Sequence, residues 1–264
     1  INCNYSILLW KYFQLIQRGD VMDRVAFTLF GIDIMWYGIL MACGMILGTL
    51  IAIKEAKRVG IKEDDVLNIA IIAIPVGLIC ARIYYVVFNW SYYAQNMSQI
   101  FNFRGGGLAI HGGLIGGILA GYIYTKIKNI NFLKMADTVI LGMPLAQAIG
   151  RWGNFINGEA HGGATNLPWG IMVDGVKVHP TFLYESIWDF GIFIVLLLFR
   201  KNKKYEGQVI VTYITLYSIG RFFIEGLRTD SLMLGPLRMA QVISLIGVIG
   251  GIIAHVYLSK KNKN

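Results

Sequence analysis

Apolar residues dominate this chain in long, nearly uninterrupted runs, separated by short polar segments. Runs fall at residues 33–53, 66–88, 107–127, 135–150, 181–199, 208–226 and 238–258. Each is close to the roughly 20 residues that an α-helix needs to cross the hydrocarbon of a bilayer. Only helices or closed barrels satisfy their backbone polar groups there, and runs of this length read as helices. The pattern therefore predicts an all-α, polytopic membrane protein of seven transmembrane helices. The fourth run is the weakest, being short and interrupted by Asp137, Pro144 and Gln147.

The basic residues support that run. Lys54, Lys57, Arg58 and Lys62 follow the first span, and Lys126, Lys128 and Lys134 the third. Arg200, Lys201, Lys203 and Lys204 follow the fifth, and Lys260, Lys261 and Lys263 the seventh. Basic loops stay on the cytoplasmic side. All four sets share one side only if 135–150 crosses, which predicts an outer N-terminus and a cytoplasmic C-terminus. Residues 1–21 have a short apolar stretch broken by Lys11 and Arg18, without a small-residue cleavage site. They read as an N-terminal extension outside the core, and residues 22–264 as a single transmembrane domain.

Composition agrees. Apolar residues make up 56% and charged residues 15% of the 264, well below the roughly one quarter charged in soluble domains. The net charge of +9 lies in the short loops, which points to topology and anionic lipid, with no nucleic acid as partner. Cys3, Cys43 and Cys80 have no metal-ligand or disulfide-framework spacing and read as small apolar residues. No metal or other cofactor is expected.

Against this background, polar residues inside or beside the spans mark function. The run Gly150-Arg151-Trp152-Gly153-Asn154-Phe155-Ile156-Asn157-Gly158-Glu159 follows the outer end of the fourth span. His111 lies at the outer end of the third, and Tyr37 a few residues into the first. In the sixth, Tyr217, Arg221, Glu225 and Arg228 occur at i, i+4, i+8 and i+11, one stripe of about 16 Å at 1.5 Å per residue. Four segments thus deliver polar groups to the outer-leaflet level. The planar fork of arginine suits phosphate or carboxylate. A structural salt-bridge network is the alternative, and it leaves His111, the tyrosines and Asn154 unexplained.

Other signals read as structural. The run Arg104-Gly105-Gly106-Gly107 lacks the Lys-Ser/Thr ending of a phosphate loop. Gly113, Gly117 and Gly121 have small-xxx-small spacing, the pattern of close helix packing. Arg82 is expected to meet a lipid headgroup or a carboxylate, and Tyr84, Tyr85, Trp90, Tyr92 and Tyr93 to form an interfacial aromatic belt.

Residues 150–162, read as Gly-Arg-x-Gly-Asn-Phe-x-Asn-x-Glu-x-x-Gly, resemble the signature of the bacterial prolipoprotein diacylglyceryl transferases. Further pieces fall in that family's order: Trp36-Tyr37-Gly38, Arg104 to Gly107 with His111-Gly112-Gly113, His179-Pro180-Thr181-Phe182-Leu183-Tyr184-Glu185, and the Tyr217 to Arg228 stripe. Thr181-Phe182 departs from the expected Ser-Gln. The resemblance covers about residues 30–258.

The resemblance implies transfer of the sn-1,2-diacylglyceryl group from phosphatidylglycerol to the lipobox cysteine of a prolipoprotein. It implies a multi-pass enzyme of the bacterial plasma membrane, adequate as a monomer, with its site toward the outer leaflet. It marks Tyr37, His111, Arg151, Asn154, Glu159, Gly162, Tyr217, Arg221, Glu225 and Arg228 as functional. On this reading Arg151 and Arg221 hold the phosphate, and His111 takes the thiol proton or orients the substrate. Glu159 and Glu225 position the arginines, while Asn154 and Tyr217 hydrogen-bond the headgroup. Tyr37, Gly162 and Arg228 complete the lipid-binding set.

A transporter would show symmetric broken spans and polar groups at all depths. A headgroup phosphatase or phosphotransferase would show paired metal-binding carboxylates or a phosphorylated nucleophile. The sequence has neither pattern.

Overall fold

The computed structural model describes residues 23–103, 106–229 and 231–262. The expected extension at 1–21 and the Arg104-Gly105 pair lie outside them. The chain is mostly helical. Four helices are long and apolar enough to cross a membrane: Trp36–Val59 (α1), Glu63–Phe88 (α2), Thr181–Asn202, whose α-helical part is Thr181–Phe199 (α6), and Met239–Lys261 (α8). A fifth is formed if Phe132–Ile140 (α4) and Met143–Ile156 (α5), separated by a bend at Leu141-Gly142, act together. Pro144 sits in the first turn of α5, where its missing N–H leaves no intrahelical bond unmade.

The expected third and sixth spans are helices too, Ile110–Ile127 (α3) and Gln208–Glu225 (α7). Neither is among the described helices apolar enough to cross by length and composition alone. In α3 the reason is its glycines and polar ends; in α7 it is the number of polar residues, among them Thr212, Tyr213, Thr215, Tyr217, Arg221 and Glu225.

The all-α expectation is amended by three small antiparallel hairpins. They are Val25–Leu29 (β1) with Ile32–Met35 (β2), Ile171–Val173 (β3) with Val176–Val178 (β4), and Met233–Leu234 (β5) with Leu237–Arg238 (β6). Each turns through a glycine-containing pair, a local signal that the apolar periodicity does not report.

The chain forms two compact units, one from Thr49 to Val139 and one from the segment up to Gly48 together with Ile140 onward. In the first, Ala52, Ala56, Ile61, Val66, Ile69, Tyr124 and Met135 form a buried core. The Tyr124 hydroxyl donates to Asp65 at 2.8 Å and accepts from Asn68 at 3.2 Å, tying α3 to the start of α2. The acidic first turn of α2, Glu63-Asp64-Asp65, complements the positive end of the helix dipole.

Glycines set the approach of α3 to α2, but one residue earlier than the spacing predicts. A Cβ at Gly116 would lie 2.6 Å from both Cβ and Sγ of Cys80, and one at Gly112 would meet Tyr84 at 2.5 Å. At Gly121 nothing lies within 4 Å. Gly116→Leu is expected to destabilise the protein by about 1–3 kcal/mol through overpacking, lowering the melting temperature in detergent. Gly121→Leu should leave it unchanged; equal effects would refute this packing.

In the second unit, α5 packs on α6. Phe155 and Phe182 stack at 4.5 Å, Ser186 donates to the Ala148 carbonyl at 2.9 Å, and Trp152 donates to Ser186 at 3.2 Å. On the other side, Trp188 of α6 donates to the Leu216 carbonyl of α7 at 3.0 Å, with its indole over Gly220. Helix α8 lies against α7, where Gly247 and Gly251 admit Ser218 and Thr215. Many large apolar side chains face outward, among them Ile46, Ile71, Leu198 and Ile246, while Glu185, Asp189 and Glu225 are buried. That inversion suits a lipid surround.

Candidate active site

Helices α5, α6 and α7 of the second unit bring six charged groups together. Arg151 comes from α5, Glu185 and Asp189 from α6, and Arg221 and Glu225 from α7, with Arg228 just beyond. Glu185 is the hub. Its Oε2 is 2.6 Å from Nε of Arg151, and its Oε1 is 2.5 Å from Nη1 of Arg221 and 3.7 Å from Nη1 of Arg228. Glu225 pairs with Arg221 Nη2 at 2.6 Å, one helical turn apart, and lies 4.0 Å from Arg228 Nε. Asp189 Oδ2 is 3.9 Å from Arg151 Nε.

Three guanidinium and three carboxyl groups therefore balance in formal charge, as burial demands. An isolated ion away from water is penalised by several kcal/mol, and opposite charges with good geometry offset it. Spacing builds the arrangement: Glu185 and Asp189 stand at i and i+4 on one face of α6, and Tyr217, Arg221 and Glu225 repeat the spacing on α7. Arg151, Glu185, Trp188, Asp189, Tyr217, Arg221 and Ile224 line one cleft. Arg151 Nη2 donates to the Tyr217 hydroxyl at 3.4 Å. Behind it Tyr213 stacks on Tyr217 and donates to Gln147 at 2.7 Å, fixing α7 against α5.

The described chain matches the family model for prolipoprotein diacylglyceryl transferase over residues 24–257. A phosphatidylglycerol–prolipoprotein diacylglyceryl transferase of Finegoldia magna is 54% identical over 241 residues, 91% of this chain and 97% of the relative. Proteins of the same name from Clostridium novyi and Bacillus cytotoxicus are 51% and 50% identical, over 92% of this chain and 98% and 93% of their own lengths. The chain belongs to the prolipoprotein diacylglyceryl transferase family.

For this family member, the structure gathers some of the residues expected from the sequence and not others. Arg151, Tyr217, Arg221, Glu225 and Arg228 share the cluster. Tyr37, second residue of α1, packs its ring where a side chain at Gly153 would stand, 2.5 Å from the Cβ position. Asn154 is half-buried on α5, three residues beyond Arg151.

Gly162 acts as a crossing point. A Cβ there would meet His179 Cβ at 2.7 Å and the Leu227 carbonyl at 2.9 Å. Its N–H donates to the His179 carbonyl at 2.9 Å, and it bridges to Arg228. The segment after α5 is thereby held to the end of α7, with Thr181 Oγ1 donating to the Ala160 carbonyl.

Glu159, expected to position an arginine, is exposed and accepts from Asn157 Nδ2 at 3.3 Å. No contact with Arg151 or Arg221 is present among the described residues. Helix α5 ends at Ile156, and the left-handed Gly158 and Ala160 turn the chain. His111 belongs to the other unit, exposed in the first turn of α3, with its ring 6.2 Å from that of Tyr84.

Glu185 and Asp189 were the residues missing from the sequence-derived site. Their signal was present: two carboxylates one turn apart inside a run that is otherwise apolar.

Proposed function

We propose that this transferase moves the sn-1,2-diacylglyceryl group of phosphatidylglycerol onto the lipobox cysteine of a prolipoprotein. The carrying observation is the convergence of Arg151, Arg221 and Arg228 on one buried carboxylate in a cleft of a lipid-embedded protein. A guanidinium has five donors in a fixed fork, so Arg151 and Arg221 keep N–H groups for a phosphate beyond those used on Glu185 and Glu225. The relatives, named for phosphatidylglycerol and prolipoprotein, support the same chemistry.

In the reaction the thiol sulfur forms a bond to the terminal glyceryl carbon, and the carbon–oxygen bond to phosphate breaks. The electron pair stays on the phosphate oxygen, and glycerol phosphate leaves. Charge grows on that oxygen, where fixed cations stabilise it most. The thiol proton, with an ordinary pKa of about 8.5, needs an acceptor, and we assign it to His111. Tyr217, Asn154 and Tyr37 orient the headgroup; Glu225 and Glu185 hold the arginines. The basic-loop pattern supports seven spans, an outer N-terminus and a site facing the outer leaflet of the bacterial plasma membrane. The charged cluster comes from one chain, which is consistent with a working monomer.

Incubating the purified protein with phosphatidylglycerol vesicles and a lipobox peptide tests the reading. A diacylglyceryl mass shift on the peptide with glycerol phosphate release is expected. Intact lipid and unmodified peptide would overturn it. For the proton acceptor, His111→Gln is expected to lower the rate at neutral pH by about a hundredfold or more, as loss of a general base does. A fully active variant would remove His111 from that role.

A further inference from the structure

Arg82 of α2 does not meet a carboxylate among the described residues, and Tyr93, expected in the aromatic belt, is buried against it. The arginine is 4% exposed, and its guanidinium donates to four backbone carbonyls. Nε reaches Ile100 O at 2.9 Å and Nη2 reaches Gln99 O at 2.5 Å. Nη1 reaches Gly106 O at 2.6 Å and Gly107 O at 2.9 Å. The rings of Tyr93 and Phe103 lie 5.2 and 5.9 Å from its central carbon, within cation–π range.

The acceptors belong to the connection between α2 and α3: Gln99 and Ile100 lie in the short 3-10 helix Met97–Phe101, and Gly106 and Gly107 in the stretch that enters α3. Carbonyls there that no regular ladder pairs must find other donors; here one side chain supplies four. Gly106 and Gly107 have φ of 82° and 74°. A Cβ at Gly107 would lie 2.6 Å from Arg82 Nη1, so glycine permits the approach. Two residues beyond, the Ala109 N–H donates to the carbonyl of Ala81, Arg82's neighbour, at 3.1 Å. His111 is the second residue of the helix that follows. One point on α2 thus anchors the loop and its exit into α3.

We propose that Arg82 is a positioning residue for the transfer reaction: it fixes residues 99–100 and 106–107 and, through them, the placement of His111. The catalytic half of this statement rests on the assignment of the thiol proton to His111. Lysine cannot replace the arginine, because three donors on a point charge do not span four carbonyls in a plane.

Two measurements on the full chain in detergent test it. Hydrogen exchange of residues 97–103 and 106–110 is expected to quicken at least tenfold in both Arg82→Lys and Gly107→Ala, more than any accompanying fall in melting temperature accounts for. Transfer to a lipobox peptide from phosphatidylglycerol is expected to lose about a hundredfold in kcat in Arg82→Lys, the scale of a small misplacement of a reacting group, with KM for the lipid unchanged. In a His111→Gln background the same change should cause no further loss, since residues acting through one another are not additive.

Unaltered exchange would overturn the strut itself. Multiplying losses in the double variant would overturn its action through His111. Faster exchange with a fully active His111→Gln would instead refute the histidine assignment and the catalytic half, leaving the loop anchor standing.

Discussion

Glu185→Ala is expected to abolish diacylglyceryl transfer and to destabilise the protein by about 3–5 kcal/mol, the usual consequence of removing one partner from a buried ion network. The carboxylate lies between Arg151 and Arg221, 2.6 and 2.5 Å from their nitrogens, and its side chain is 5% exposed. Without it, the two arginines, whose side chains are 20% exposed, lose the negative charge that keeps them in one cleft. Asp189, 3.9 Å from Arg151, is too distant to replace it. Glu185→Gln, nearly isosteric, separates charge from shape and should lose most activity with a smaller fall in melting temperature. If Glu185 only competed with the lipid phosphate, its removal would lower KM and preserve kcat. A fully active and stable Glu185→Ala would refute the hub.

Arg221→Lys is expected to reduce kcat by about ten- to a hundredfold, corresponding to one charged hydrogen bond of roughly 1.5–3 kcal/mol. Arg221 uses two different nitrogens, Nη1 toward Glu185 and Nη2 toward Glu225, at 2.5 and 2.6 Å. An ammonium satisfies one of these at a time and gives up the planar presentation to phosphate. Kinetics against phosphatidylglycerol, with melting temperature as a control for folding, measure the effect. An unimpaired lysine variant would mean that charge alone suffices and that the fork has no part in the chemistry.

The two predictions differ in how visible their residues were beforehand. Arg221 stood out because Tyr217, Arg221 and Glu225 repeat at one helical turn, and the structure realises that spacing as a direct Arg221–Glu225 pair. Glu185 carried the same kind of signal with Asp189 but stands at the end of a motif and inside an apolar run. Glu159 pairs with Asn157 and with no arginine among the described residues, because nearness in sequence to Arg151 is not nearness in space once α5 has ended at Ile156 and the chain has turned. At Gly162 the missing side chain is what lets His179 and Leu227 close around the segment, a packing role that the motif alone does not reveal. Arg82 stands out in the sequence as a charge within an apolar run, but acceptors supplied by backbone carbonyls leave no mark in side-chain identities.

What the sequence determined by itself is everything set by period and composition. The apolar runs, the alternation of basic and neutral loops between them, the one-turn stripe on α7 and the family motifs depend on local spacing and on the transfer of side chains between water and lipid. What only the tertiary structure decided is which charges meet. A carboxylate on α6 gathers arginines from α5 and α7 because burial forces each charge to find a partner. Which partner it finds depends on how the helices pack, through contacts such as Phe155 on Phe182 and Trp188 over Gly220.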